Sequence, residues 1–151
     1  MLDKILGLCY TLECKQESFT RRPDMEAKQF RKRSAILACL QGTTAHPSAE
    51  TLYAMVKAEN PDISLATVYR NLTRFKEQGL IVSLGTVNGV ERFDGNISRH
   101  AHFICRRCGR VDDLAMPDLP VPGLNGARIE NCSLSYTGLC RNCLREGGEE
   151  A

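Results

Sequence analysis

The stretch Ser64-Leu-Ala-Thr-Val-Tyr-Arg-Asn-Leu-Thr-Arg-Phe-Lys-Glu-Gln-Gly79 decides the fold. Leu65, Val68, Leu72 and Phe75 recur at i, i+3, i+7 and i+10, the spacing of one apolar helix face. Ser64 can accept the free N–H groups of the first turn, and Gly79 can end the helix. The opposite face carries Thr67, Arg70, Asn71 and Arg74, whose donors suit base edges and phosphates. A charged helix face can also be only a solvated one, so the flanking elements must decide.

Upstream, Ser48 after His46-Pro47 offers a second N-cap, and Leu52, Met55 and Val56 continue as a short helical face that closes before Pro61. Before that, Phe30, Ile36, Leu37 and Leu40 align along a first helix over 26–41, with Gly42 as its stop and Arg31, Lys32 and Arg33 on its edge. That basic run is a weaker candidate for phosphate contacts. Downstream, 80–84 and 90–93 read as strands joined by Asn88-Gly89, the dipeptide that tight hairpins favour. Three helices and a hairpin describe a winged helix-turn-helix, with 65–78 as its recognition helix.

The second half changes character. Strand patterns over 100–105, 110–114 and 133–139 surround a Pro- and Gly-rich stretch from 117 to 126 that leaves little room for a long helix. The expected architecture is α+β. Residues 25–94 form a winged-helix DNA-binding domain, and 95–145 form a small α/β domain. Residues 1–24 fit no clear period and read as an arm, or as sequence ahead of a natural start at Met25; 146–151 read as a flexible tail. A chain of 151 residues divided this way gives two units too small to be secure on burial alone. The formal charge of +2 predicts no polyanionic partner by itself, so any nucleic-acid signal must come from clustering. No segment approaches the ~20 apolar residues of a membrane span, and 5–12 make a poor export signal, so the expectation is a soluble cytoplasmic protein.

Four of the eight cysteines form two C-x2-C pairs, Cys105 with Cys108 and Cys140 with Cys143. Such turns each aim two sulfurs at one point, the arrangement of a structural Zn2+ site, and Gly109 favours a zinc turn. Redox or disulfide motifs are the alternative, and the missing export signal weighs against it. Cys9, Cys14, Cys39 and Cys132 lack partners at ligand spacing and read as free thiols. His100 and His102 alternate along a strand, so both rings emerge on one face beside the zinc turn, with the carboxylates of Asp94 and Asp113 on neighbouring strands. His46 has a plain reading as a polar group before Pro47.

The runs His46-Pro-Ser-Ala-Glu-Thr-Leu-Tyr53, Ser64 to Leu72, Arg92-Phe-Asp94 and His100-Ala-His-Phe-Ile-Cys-Arg-Arg-Cys-Gly109 together resemble the ferric uptake regulator family over about 28–144. Within it the chain is most similar to the peroxide-responsive repressors. The resemblance implies a homodimer on double-stranded operator DNA, with Ser64, Thr67, Tyr69, Arg70, Asn71 and Arg74 near the DNA. It implies a regulatory Fe2+ or Mn2+ site on His46, Asp94, His100, His102 and Asp113. It also implies that peroxide acts through Fe2+ to add oxygen to His46 or His100 and release the DNA, which makes the chain a repressor and not an enzyme. Two departures stand out. Residues 1–24 do not match the helix with which the family commonly begins, and 117–126 replaces a region where relatives hold a helix, which points to an abbreviated dimer interface. The competing expectations are an iron- or zinc-uptake regulator of the same family, a metal-dependent hydrolase, and a zinc-stapled protein-interaction module without DNA affinity.

Overall fold

The computed structural model describes residues 23–118, 126, 128, 130 and 132–147. Among the described residues three helices come first, α1 (Pro23–Gln41), α2 (Ala49–Lys57) and α3 (Leu65–Glu77), followed by a hairpin of β1 (Val82–Val87) and β2 (Val90–Asp94). A sheet of β3 (Ala101–Cys105), β4 (Val111–Leu114) and β5 (Leu134–Gly138) follows, and α4 (Arg141–Gly147) closes the described chain. Among the described residues, no helix is long and apolar enough to cross a membrane.

Local chemistry sets the helix ends. The Ser48 hydroxyl accepts from the Thr51 N–H at 3.1 Å and the Ser64 hydroxyl from the Thr67 N–H at 3.3 Å. Each such cap is worth about 1 kcal/mol. Past α3, the Leu80 N–H reaches the Phe75 carbonyl at 2.9 Å and the Gly79 N–H reaches Lys76 at 3.0 Å, the paired bonds of a Schellman stop. The helices bury Ile36 and Leu40, Leu52 and Val56, and Val68, Leu72 and Phe75 against one another, and Phe93 of β2 completes the core. Deleting a side chain such as Leu72 from this cluster would cost about 2–5 kcal/mol.

Four expectations need correction. The first helix begins at Pro23, so Pro23 and Asp24 belong to it and not to an arm; proline is tolerated in a first turn because its missing N–H has no partner there anyway. Phe30 is 64% exposed, since α1 buries itself only from Ile36 onward, and Met55 is also exposed. β1 runs to Val87 and not 84, because a register shift between Ser83 and Thr86 absorbs Gly85 and lets pairing resume up to the Asn88-Gly89 turn. Finally, Glu146 and Gly147 continue α4, an element too short to show a period in sequence. The expectations placed on 1–22, including Cys9 and Cys14, and on 119–125 and 148–151, lie outside the described residues.

The second sheet has the order β4-β3-β5, with β3 antiparallel to β4 and parallel to β5. This register sets His102 opposite Asp113. The hairpin tip rests on the turn after β3, where the Asn88 side-chain amide donates to the Arg107 carbonyl at 3.5 Å. Gly109 there has φ +71°, which favours glycine, and a Cβ would stand 3.0 Å from the Asn88 side-chain amide, which would have to shift slightly.

Candidate metal centres and a polar helix face

Among the described residues two ligand clusters form. In the first, one sulfur from each of Cys105, Cys108, Cys140 and Cys143 lies within 4.8 Å of all the others. Cys105 ends β3, Cys108 sits on the following turn, and Cys143 lies in the first turns of α4, so two elements distant in sequence converge. The Cys108 and Cys140 sulfurs are 3.8 Å apart. Four sulfurs at a Zn–S distance of about 2.3 Å in a tetrahedron stand about 3.8 Å from one another, so the donor set fits zinc. Backbone N–H groups of Cys108 and Cys140 pull the Cys105 thiol down to about 6. Burial, with the neighbouring sulfurs, pushes the Cys143 thiol up to about 12. One ready thiolate among crowded thiols is what a cation would resolve. Cys39 and Cys132 stand apart as free thiols, as expected.

The second cluster joins both halves of the chain. His46, Asp94, His100, His102 and Asp113 each place a donor atom within 4.8 Å of the rest. His46 comes from the loop before α2, Asp94 ends β2, His100 immediately precedes β3, His102 lies in β3 and Asp113 in β4. His46 Nε2 is 2.8 Å from Asp113 Oδ1 and 3.8 Å from Asp94 Oδ2. His100 Nε2 and His102 Nε2 approach Asp94 Oδ2 at 2.9 and 3.1 Å. Ligands bound at about 2.1 Å and at right angles to one another stand about 3 Å apart, so these spacings suit a single cation.

The hydrogen bonding points the same way. Nδ1–H of His100 donates to the Ser98 carbonyl at 2.8 Å, which leaves the Nε2 lone pair facing inward. His100 Nε2 and both ring nitrogens of His46 are buried without a hydrogen-bond partner, although His46 is only 1% exposed. Carboxylate oxygens stand 2.8 and 2.9 Å from the His46 and His100 Nε2 atoms without hydrogen-bond geometry, so nitrogens and oxygens converge on one point as ligands around a cation do. Asp94 is held by the Asn96 N–H on its other oxygen at 2.7 Å. Burial lowers the pKa of His102, against the opposing pull of its bond to Asp94, and so favours the neutral, ligating ring. The plain reading of His46 as a capping group therefore fails: its ring points into the cluster.

The polar face of α3 is also assembled. Thr67, Arg70, Asn71 and Arg74 line one open groove together with Gln29, Lys32 and Arg33 of α1. Gln29 carried no signal in the sequence. Within the groove the residues differ in what they have free. The Asn71 amide donates to the Thr67 carbonyl at 2.7 Å, and Arg70 reaches the Thr67 hydroxyl at 3.3 Å. Ser64 remains exposed at the start of the helix while capping it. Tyr69 is half-exposed, and its hydroxyl donates to Glu50, which ties α3 to α2 and holds the Glu50 carboxyl below its ordinary value.

Comparison with known proteins adds four findings. The Ferric uptake regulator family matches residues 24–137. The chain is 34% identical over 120 residues to the peroxide operon regulator of Bacillus subtilis (strain 168), covering 76% of this chain and 83% of that protein. It is 31% identical over 121 residues to the peroxide-responsive repressor of Staphylococcus epidermidis (strain ATCC 12228 / FDA PCI 1200), covering 77% of this chain and 81% of that one. Among solved structures it is similar to the Campylobacter jejuni peroxide stress regulator, with a TM-score of 0.67, 31% identity, and 80% of this chain and 94% of that chain covered.

Proposed function

The chain belongs to the ferric uptake regulator family, and within it we propose that this protein is a cytoplasmic, metal-dependent transcriptional repressor that responds to peroxide. The observation that carries the proposal is the second cluster, in which three histidines and two aspartates from both halves of the chain meet with unpartnered nitrogens facing inward. Its N/O donors suit Fe2+ or Mn2+, whereas the four thiolates suit Zn2+. The peroxide regulators among its relatives favour this branch over iron- or zinc-uptake regulation. Neither the family nor the site supports a hydrolase.

The residues would work as a clasp. His46 and Asp94 move with the helical half, while His100, His102 and Asp113 move with the second sheet. Holding all five around one cation fixes the connection over 95–99 and so sets where α3 points. In a homodimer, that orientation sets the spacing of two recognition helices on an operator with matching symmetry. When bound, Fe2+ would lend one electron to split the peroxide O–O bond and regain it as the ring is oxidised. The net change in the protein is one oxygen added to the His46 or His100 ring, the other oxygen leaving as water. A ring so altered no longer offers the same lone pair, and the clasp opens.

The proposal is tested by binding a promoter fragment with Mn2+ present and with Mn2+ chelated. The metal should tighten binding by about 100-fold, a coupling of roughly 3 kcal/mol. Equal affinity in both states would refute metal control. At the DNA face, Arg70→Ala should weaken binding by about 1–3 kcal/mol if the guanidinium reads a base. An unchanged affinity in the same assay would remove Arg70 from the interface.

A further inference from the structure

We infer that Arg92 is a positioning residue for the regulatory site, holding His46 in a backbone conformation that it would not otherwise keep. This inference rests on the ligand role proposed for His46. His46 has φ +46°, in the left-handed region, and it precedes Pro47. A residue before proline is driven toward extended backbone, and a side chain with a Cβ disfavours positive φ, so two local preferences oppose what is found. Something beyond the local sequence must hold it.

Strand β2 supplies the restraint. Arg92 Nη1 donates to the His46 carbonyl at 3.2 Å, and the next residue, Phe93, donates its N–H to the Pro47 carbonyl at 3.2 Å. The residue after that, Asp94, is itself a member of the cluster. Three successive residues therefore pin the backbone that carries His46, dock the following proline and supply a carboxylate. The end of the strand packs tightly on α1, where Gly95 lies so close that a Cβ would stand 2.7 Å from the Leu40 and Gln41 backbone. Nε of Arg92 is buried without a partner, so the His46 bond is the side chain's only hydrogen bond among the described residues. His46 and Asp94 thus form a prebuilt half-site on the helical unit, to which His100, His102 and Asp113 are brought.

The test measures Mn2+ binding by calorimetry, with zinc content read by atomic emission, in Arg92→Ala, Arg92→Lys, His46→Ala and the His46→Ala/Arg92→Ala double variant. Arg92→Ala should weaken Mn2+ binding about tenfold, within what a charge-assisted hydrogen bond is worth, and keep its zinc. Arg92→Lys keeps a donor and should recover most of that loss. Because Arg92 acts through His46, its removal should cost nothing further once His46 is alanine. Three results would overturn the inference: Arg92→Ala within twofold of the parent while His46→Ala is weakened, an equal loss from Arg92→Ala in the His46→Ala background, or zinc loss in both Arg92 variants. Unchanged Mn2+ affinity in His46→Ala would instead sink the ligand role itself, and the inference with it.

Discussion

Cys105→Ser should release the zinc and unfold the second sheet while leaving the three-helix core folded. Zinc on four thiolates contributes on the order of 10 kcal/mol in isolated zinc modules. Three strands of four or five residues make a sheet too small to be secure by itself. Cys105 is fully buried, and its sulfur also accepts the Cys140 N–H at 3.3 Å, so the substitution removes both a ligand and a strand-to-helix link. The helical core around Ile36, Leu52, Leu72 and Phe75 depends on none of these groups. Hydrogen exchange should therefore lose protection over 101–114 and 134–147 but keep it over 36–77, with zinc content falling from one per chain toward zero. Full protection of the second sheet in a zinc-free variant would show that burial alone sustains it.

Asp113→Asn should weaken Mn2+ binding by about 100-fold or more without lowering the stability of the metal-free protein. Loss of a supporting contact around a metal typically costs 10- to 100-fold, and a direct ligand should lie at the upper end. The stability effect has a definite sign. Asp94 and Asp113 hold like-charged carboxylates within 4.8 Å of each other, and asparagine fills the same space without the charge. The Asp113 side chain is 31% exposed, so the amide stays partly solvated. If Asp113 served chiefly as an ion-pair partner of His46, the substitution would instead lower the thermal midpoint of the metal-free protein and leave metal affinity little changed. Thermal unfolding beside a metal titration separates the two.

The features legible in the sequence are those written within a few residues of one another. The caps at Ser48 and Ser64, the Asn88-Gly89 turn, the apolar face of α3 and the paired C-x2-C turns each depend on neighbours a few positions away. All of these form where expected. What the sequence hides is set by contacts across the chain. Phe30 lies two turns before Leu37 on the same face, yet its exposure depends on how far α2 and α3 reach along α1. Locally His46 reads as a simple helix preface, and only the resemblance to a family sets it with the other ligands. In the fold its carbonyl partner, Arg92, is 46 residues away. Arg92 and Gly95 flank a candidate ligand in the sequence, but nothing local says that one pins a strained backbone and the other permits a close approach. α4 escaped because seven residues give a helical period too little length.

The central claim, that the cluster of His46, Asp94, His100, His102 and Asp113 couples DNA binding to peroxide, is tested most directly under anaerobic conditions. Protein loaded with Fe2+ or with Mn2+ is bound to a promoter fragment before and after a low dose of peroxide, and the peptides carrying His46 and His100 are weighed. The expected result is loss of binding only in the iron form, with one oxygen added to one of those two histidines. Binding that survives peroxide in the iron form, with both peptides unmodified, would contradict the claim and leave a metal-uptake repressor on the same fold.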